Sequence, residues 1–307
     1  MPEVVYLHEF GAKNSDALLA AFRDHLRASG RADRSIASYV GEARRFAEWA
    51  AAKYGEFRPA SVSALDVVEY REYLQSLKGH KGGPMSPASV NKALAGLRVF
   101  FGWLASTGQV RENPAAGIKN AVVGGAPAPR WLDRRQQAAL VHAVQDGGNL
   151  RDMAIFGLML HAGLRIGEVC ALERGDIEIS ERKGLVRVRR GKGNKYREVP
   201  LNKTVRKMLA AWLEKNPDGP LFPNRYGKSL GVFGVEKLFK EYAYRAKLEN
   251  VTPHTLRHTF CKNLIDMGVP IDQVAMLAGH SGLDTTKRYT APSMADLQAA
   301  VDKVAWE

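Results

Sequence analysis

The sequence is poor in cysteine and has no long apolar run. It contains only two cysteines, Cys170 and Cys261, in 307 residues, so no disulfide framework is expected. No apolar stretch reaches the roughly 20 residues that a membrane-spanning helix needs. The first residues, MPEVVYLHEF, lack the basic, apolar and small-residue pattern of a signal peptide. These absences predict a protein of the cytoplasm that makes no contact with a membrane.

Basic residues outnumber acidic ones. The chain has 45 Lys and Arg against 32 Asp and Glu, which gives a formal net charge of +13. Such an excess favours a polyanionic partner, because basic side chains release counterions when they neutralise phosphates. The charge alone would also suit a protein of a membrane surface or of the ribosome. With 307 residues, 45% of them hydrophobic, the chain is long enough for two domains with separate cores.

The N-terminal part has the period of amphipathic helices. From residue 15 to residue 112, apolar side chains recur at helical spacing, as Leu18 and Phe22 do in the first segment. This pattern predicts a bundle of about four helices. Residues 1–14 form an N-terminal extension without a diagnostic pattern. Residues 113–130 are broken by glycine and proline, and we interpret them as an interdomain linker.

The C-terminal part combines helical patterns with one hairpin. Residues 150–172 have the pattern of a buried helix interrupted near Gly163. Residues 185–201 alternate apolar and basic side chains around a GKGN turn, which is typical of a β-hairpin. Further helices are predicted over residues 203–216, 234–246, 255–267 and 271–278, with a tail helix in 293–307. The expected fold class is therefore mainly α with a small β-hairpin or sheet.

One predicted helix begins with residues suited to anion binding. Thr252 and Pro253 form a good helix start, which places His254 and Arg257 in the first turns, three residues apart. The unpaired N–H groups of a helix start, together with a guanidinium, attract an anion. The alternative is that both side chains belong to a solvated helix face.

Arg165 is a second arginine that could bind an anion. It follows the buried apolar run and Gly163, where a charged side chain needs a partner. Glu168, three residues later, could be the whole of that partner. Together with Arg257, however, Arg165 could form a paired clamp, since guanidinium groups match phosphate oxygens well.

The predicted hairpin is strongly basic. Lys192 lies in its turn between two glycines, which allow a close backbone approach, and its flexible stem could deliver a proton to a neighbouring site. The other cations of the hairpin are expected to face solvent or to bind DNA phosphates without sequence preference: Arg187, Arg189, Arg190, Lys195 and Arg197.

His280 and Tyr289 follow a predicted helix end and complete the polar set. A single histidine or tyrosine is more often structural than catalytic, and a phenol with a pKa of about 10 is a poor nucleophile until cations surround it. The number of cationic and protonatable partners in the same region favours a catalytic role for Tyr289.

A zinc site is the competing interpretation of this region. His254, His258 and Cys261 fall on one helical face and could supply two or three ligands. The string HTLRH lacks the glutamate of the HExxH pattern, and no cluster of acidic residues suggests a two-metal nuclease. We therefore expect no metal and no other cofactor, and we expect His258 and Cys261 to be packing residues behind the site.

Several strings of the sequence resemble the signature blocks of a known family. GLRIGE, GKGNKYREVPL, TPHTLRHTF, LAGHSGLDTT and RYT are similar, in order and spacing, to the blocks of the tyrosine recombinases, or phage integrase family, and most closely to its Xer-like members. The resemblance covers residues 131–292. It implies a mostly helical, mixed α/β catalytic domain there, and it identifies residues 15–112 with the helical core-binding domain, the two forming a clamp around DNA.

The resemblance also implies a role for each site residue. Six positions carry the catalytic residue types of the family, with Glu168 as a supporting acid. Arg165 and Arg257 would clamp the scissile phosphate, His254 and His280 would assist proton transfer, Lys192 would protonate the leaving 5′ oxygen, and Tyr289 would attack phosphorus.

The implied reaction needs neither metal nor ATP, because the 3′-phosphotyrosine conserves the energy of the broken phosphodiester bond. A 5′ hydroxyl of a second DNA strand then reverses the step, and the exchange passes through a Holliday junction. The implied partners are duplex DNA with paired recombination sites and a homotetramer on two duplexes at the nucleoid. The tail helix would dock either on its own domain or on the next protomer. A DNA-binding accessory protein and a type IB topoisomerase-like enzyme are the alternatives, and the task, resolution or integration, is open.

Overall fold

The structure is a computed structural model, and it describes residues 15–79, 82–122, 124, 129–189, 196–216, 218–280, 282–290, 298 and 301–304. The chain divides into two compact units, Met1–Ala126 (unit 1) and Pro127–Glu307 (unit 2). The predicted N-terminal extension, residues 1–14, lies outside the described residues, as does most of the predicted tail helix. In the described part of the chain, no helix is long and apolar enough to cross a bilayer.

Unit 1 is a helical bundle, as the apolar period predicts. Its helices are α1 (Ser15–Ala28), α2 (Asp33–Tyr54), α3 (Ala64–Ser76) and α4 (Pro87–Ser106). Helix α2 packs against α1 and α4, and α3 packs against α4. The core is rich in aromatic rings: Phe46 meets Tyr70 and Phe101 edge to face, at centroid distances of 5.0 and 5.6 Å. These rings give unit 1 a hydrophobic core of its own.

The segment after α4 packs against that helix. Arg98 donates hydrogen bonds to the carbonyl oxygens of Ala115 and Ile118, at 3.3 and 2.6 Å. Asn91 holds the backbone of Ala121 through two hydrogen bonds of 2.7 and 2.9 Å. The segment predicted as a linker, residues 113–130, therefore begins with a stretch fastened to unit 1, and the boundary at Ala126 falls inside it.

Unit 2 is mostly helical and contains one small sheet. Its helices are α5 (Arg134–Asp146), α6 (Leu150–His161), α7 (Ile166–Cys170), α8 (Lys203–Leu213), α9 (Val232–Arg245), α10 (Pro253–Asp266), α11 (Ile271–Ala278) and α12 (Leu283–Lys287). The strands are β1 (Ile177–Ile179), β2 (Gly184–Val188) and β3 (Arg197–Pro200). The expected fold class, mainly α with a small sheet, is confirmed.

The sheet is antiparallel, with the order β1-β2-β3. Val186 pairs with Ile177 on one side and with Val199 on the other, so the apolar residues of the three strands share the buried face. Strands β2 and β3 are the predicted hairpin. Strand β1 was not predicted, since three residues are too few to show an alternating pattern.

Helix α6 lies in the core of unit 2 and packs against α8 and α10. It ends before Gly163, which has a φ of +64° and lies against the ring of Phe260. A Cβ there would come within 2.3 Å of that ring, so glycine is required both by the backbone conformation and by the close approach. The interruption predicted near Gly163 is confirmed. The Gly163 carbonyl oxygen accepts a hydrogen bond from Arg257 of α10, and Arg165, just before α7, reaches the Gly279 carbonyl at the end of α11.

Candidate active site

The C-terminal end of α11 is surrounded by arginines. Arg257 of α10 is buried and donates hydrogen bonds to the carbonyl oxygens of Gly163, at 2.6 Å, and Ala278. Arg165, at the start of α7, donates to the next carbonyl oxygen, that of Gly279, at 2.8 Å. The last carbonyls of a helix have no intrahelical partner and carry the negative end of its dipole. Helix α11 thus holds the two guanidiniums of the predicted clamp side by side.

Glu168 connects this arrangement to the sheet. Its carboxylate accepts hydrogen bonds from the Arg165 backbone N–H at 2.8 Å and from the Arg165 guanidinium at 2.7 Å. It also accepts two from Arg197, at 2.9 and 2.8 Å. Burial by itself raises the pKa of Glu168, but the two arginines outweigh burial and lower that pKa to about 2. Glu168 is therefore ionised and orients both guanidiniums.

The position of Arg197 differs from the expectation that it faces solvent or DNA. Its side chain is only 11% exposed and forms a bidentate pair with Glu168. Its Nε also lies 3.3 Å from the Leu277 carbonyl oxygen, so it contacts the end of α11 beside the other two arginines. A hairpin residue can face either side of the sheet, and here the buried carboxylate attracts the guanidinium inwards. Arg197 is a positioning residue rather than a member of the exposed basic surface.

Two of the other hairpin cations form ion pairs with carboxylates, and the remaining three lie outside the residues that the structure describes. Arg187 pairs with Glu178 and Glu198. Arg189 is 63% exposed and pairs with the buried carboxylate of Asp176. Arg190, Lys192 and Lys195 lie outside the described residues.

Tyr289 is buried behind this group of arginines. It is 1% exposed, and its hydroxyl lies 2.5 Å from Nδ1 of His258. The fully buried Cys261 packs in the same small buried cluster as Tyr289. Burial, reinforced by Cys261, raises the pKa of Tyr289 well above 10. The phenol is therefore protonated in this conformation.

His258 and Cys261 were both predicted as packing residues behind the site. Cys261 does pack in the buried cluster that contains Tyr289. His258 has a further contact, a hydrogen bond with the Tyr289 hydroxyl. The available signal was their spacing, since His258 and Cys261 share one face of α10 with His254. The spacing does not predict that His258 on this face contacts Tyr289, which lies 31 residues further along the chain.

The other two histidines border the same group. His280 stacks on Tyr289 with a ring-centroid distance of 6.2 Å, and its Nδ1 lies 2.7 Å from Thr286 Oγ1. Burial, together with Arg257 and Arg165, lowers the pKa of His280 to about 4. His254 lies exposed in the first turn of α10, and partial burial and Arg257 lower its pKa too. Both imidazoles are therefore neutral at neutral pH.

The residues that suggested zinc do not form a metal site. Among the residues that the structure describes, no group of three or more His, Cys, Asp or Glu side chains is placed to hold a metal ion. His258 Nδ1 faces the Tyr289 hydroxyl, and Cys261 packs in the buried cluster that contains Tyr289. The arrangement instead combines a phenol with neutral imidazoles and guanidiniums, which suits proton transfer next to a bound phosphate.

Comparison with protein families assigns both units. Residues 130–296 match the model described as "Phage integrase family". Residues 18–109 match "Phage integrase, N-terminal SAM-like domain".

Curated relatives are similar over nearly the whole chain. Tyrosine recombinase XerC of Chromobacterium violaceum is 32% identical over 294 residues, which cover 94% of this chain and 94% of that protein. Tyrosine recombinase XerC of Pelobacter propionicus is 31% identical over 293 residues, covering 93% and 94%.

Solved structures share the fold. The XerH recombinase bound to palindromic difH substrate matches with a TM-score of 0.74 and 20% identity, over 94% of this chain and 84% of that one. A lambda integrase dimer on a core site matches with a TM-score of 0.70 and 14% identity, over 95% and 97%. The Tn1549 transposon integrase with circular intermediate DNA matches with a TM-score of 0.68 and 21% identity, over 92% and 98%.

Proposed function

The chain belongs to the phage integrase family, and we infer from this that it is a site-specific DNA recombinase of the tyrosine type. It cuts and rejoins DNA through a 3′-phosphotyrosine and a Holliday junction. The observation that carries the assignment of the site is the convergence of the guanidiniums of Arg165 and Arg257 and the ring of His280 next to the phenol of Tyr289.

The two guanidiniums bind the scissile phosphate. Arg165 and Arg257 each have five N–H donors. Glu168 and the Gly279 carbonyl occupy part of those of Arg165, and the carbonyls of Gly163 and Ala278 occupy part of those of Arg257. The remaining donors can hold phosphate oxygens in a fixed geometry and stabilise the charge that develops in the transition state. Each such contact is worth roughly 3 kcal/mol of transition-state stabilisation.

Tyr289 is the nucleophile. Its oxygen attacks phosphorus, the bond from phosphorus to the 5′ oxygen breaks, and the chain becomes joined to the 3′ end. A 5′ hydroxyl of a second strand then reverses the step, so the reaction uses no ATP and no metal. Holding the phenol and the phosphate in one site replaces a bimolecular encounter, which can be worth an effective molarity on the order of 10⁵ M or more.

The remaining residues move protons or hold the others in place. His254 and His280 are neutral hydrogen-bonding groups beside the phosphate, Lys192 protonates the leaving 5′ oxygen, and Glu168 orients Arg165. Arg187, Arg189, Arg190 and Lys195 bind the DNA backbone. Arg197 acts through Glu168 and not through DNA.

The proposed partner is duplex DNA with paired recombination sites, bound in the cytoplasm at the nucleoid by a homotetramer on two duplexes. Relatives and structural neighbours include XerC proteins and transposon and phage integrases, so they support the chemistry and leave both tasks, resolution and integration, as candidates. The tail helix in residues 293–307 is the proposed connection between protomers. Closure of the two domains around DNA stays a prediction.

Covalent capture tests the proposal and does not require the target site to be known. The full chain is incubated with nicked genomic fragments of the source organism in EDTA, denatured with detergent, and purified by an affinity tag. We expect attached DNA enriched in one short site. Tyr289→Phe should abolish the attachment, while Tyr73→Phe, a change on exposed α3 of unit 1, should not.

The recovered site then separates the alternatives. Strand exchange between two duplexes that carry it identifies a recombinase, and relaxation of supercoils without exchange identifies a topoisomerase. If the wild-type chain retains DNA in a native pull-down but keeps none after denaturation, no site is recovered by attachment; the protein is then a DNA-binding accessory factor and the proposal is wrong.

A further inference from the structure

The hydrogen bond between His258 and Tyr289 has no role in the reaction described so far. Nδ1 of His258 lies 2.5 Å from the phenolic oxygen, and the two ring centroids are 5.6 Å apart. A neutral imidazole with its proton on Nε2 presents Nδ1 as an acceptor, and a protonated phenol can only donate to it. In this tautomer the contact directs the phenolic proton at Nδ1 of His258.

We propose that His258 is a further catalytic residue, the general base that takes the phenolic proton as Tyr289 attacks phosphorus. This inference rests on the proposed function and assigns the proton acceptor of its first step. The bond from the phenolic oxygen to phosphorus forms, and the bond from phosphorus to the 5′ oxygen breaks. The phenolic proton moves to Nδ1, and the leaving oxygen takes a proton from Lys192. In the rejoining step the imidazolium returns its proton to the departing phenolate.

The other histidines of the site are less well placed for this task. His280 lies nearly parallel to the Tyr289 ring, at an interplanar angle of 11°, and its Nδ1 faces Thr286 Oγ1 at 2.7 Å. A ring stacked face to face does not aim a nitrogen at the phenolic oxygen. His254 lies exposed one turn before His258, at a ring-centroid distance of 6.4 Å from it. Both remain available to the phosphate.

The surroundings keep the proposed base neutral until DNA arrives. Burial, with His254 and Arg257, lowers the pKa of His258 to about 4, so the imidazole is free to accept a proton at neutral pH. A phosphate bound at Arg257 would offset part of that positive field and favour the imidazolium. The Cys261 thiol cannot take the same role, because burial raises its pKa and keeps it protonated. Proton transfer is thereby coupled to occupancy of the phosphate site.

The test compares cleavage rates of His258 variants on a nicked duplex that carries the site recovered by covalent capture. We expect His258→Ala to slow adduct formation by about 10²–10⁴-fold with little change in DNA affinity. His258→Asn, which keeps a hydrogen-bonding group but cannot accept a proton, should be similarly slow. Added imidazole should restore part of the His258→Ala rate. His142→Ala, a change on the exposed face of α5, should behave as wild type.

A second substrate distinguishes a base at the nucleophile from an acid at the leaving group. A duplex in which sulfur replaces the bridging 5′ oxygen has a leaving group that needs no proton. The defect of Lys192→Ala should largely disappear on this substrate, and the defect of His258→Ala should persist.

The outcomes separate the proposed function from the role of His258. If the wild-type chain forms no adduct, the proposed function fails, and this inference fails with it. If the wild-type chain forms adducts and His258→Ala forms them as fast or faster, the histidine only holds the tyrosine in its buried position, and this inference alone is wrong. The inference is also wrong if His258→Ala is slow and imidazole does not restore its rate, while His258→Asn cleaves at the wild-type rate. In that case the side chain needs only to form a hydrogen bond and not to accept a proton.

Discussion

Replacing Glu168 by glutamine removes the negative charge that Arg165 and Arg197 share. The carboxylate accepts four hydrogen bonds from these two residues, and its side chain is 4% exposed. Glutamine has nearly the same shape, but its amide nitrogen is a donor that would face guanidinium donors. The variant therefore leaves two partly buried cations without their counter-charge and disturbs little else.

The expected loss can be worked out from the pKa of Glu168. Burial alone would raise this pKa, yet hydrogen bonds and charges from Arg197 and Arg165 lower it from 4.5 to about 2. Such a difference corresponds to about 3 kcal/mol of folding stability at neutral pH. It agrees with the roughly 3–5 kcal/mol that removal of one partner of a buried ion pair costs.

The pH dependence has a definite sign. The pKa of Glu168 is lower in the folded chain than in the unfolded chain, so the carboxylate contributes its full stabilisation above about pH 5. That stabilisation is lost progressively as the pH falls toward about 2, where the folded carboxylate is protonated too. Glutamine does not titrate. The difference in stability between wild type and Glu168→Gln should thus be about 3 kcal/mol at pH 7 and fall to roughly half of that near pH 3.

Scanning calorimetry of the full chain at several pH values measures this difference. A loss of about 3 kcal/mol should lower the transition temperature of unit 2 by about 6–12 °C at pH 7. Glu198→Gln is the matched control, since Glu198 of β3 is an exposed carboxylate whose ion pair with Arg187 is worth little, and its replacement should leave the transition nearly unchanged. The reasoning is refuted if Glu168→Gln melts with the wild type at pH 7, or if the gap between them is the same at pH 7 and pH 3.

Three further predictions concern the end of α11, the clamp and the tail. Gly279→Ala should destabilise the chain by more than the ~1–2 kcal/mol that a left-handed backbone costs a residue with a Cβ, because this Cβ would also lie 2.9 Å from the Arg197 guanidinium. Gly227 is the control, since it has a φ of +74° but no atom near its Cβ position. Chemical denaturation should show a clearly smaller loss of stability for Gly227→Ala. Arg257→Lys should slow adduct formation by about 10²-fold or more, since an ammonium cannot bind two carbonyls and a phosphate in one plane. A rate within about tenfold of wild type would contradict the proposal that Arg257 clamps the phosphate. Deletion of residues 293–307 should preserve binding to one duplex in gel-shift assays and abolish the two-duplex complex, and unchanged recombination would exclude docking on the next protomer.

Much of the fold was predictable because helices carry a local signal. The apolar period and the capping residues predicted the bundle of unit 1 and most helices of unit 2. Strand β1 (Ile177–Ile179) was too short for that signal. The attachment of residues 113–121 to α4 also escaped prediction, because it depends on hydrogen bonds from Arg98 and Asn91 that no sequence period records.

The sequence by itself determined the family and the types of the site residues, because its motif strings are contiguous and carry their chemistry locally. Only the tertiary structure decided which groups meet. Arg197 pairs with a carboxylate 29 residues earlier and His258 with a phenol 31 residues later. Burial determines these partners, because a guanidinium or a hydroxyl that is removed from water is destabilising unless it forms hydrogen bonds with a group that packing places next to it. That choice depends on the folded core of unit 2 and not on the spacing of the residues along the chain.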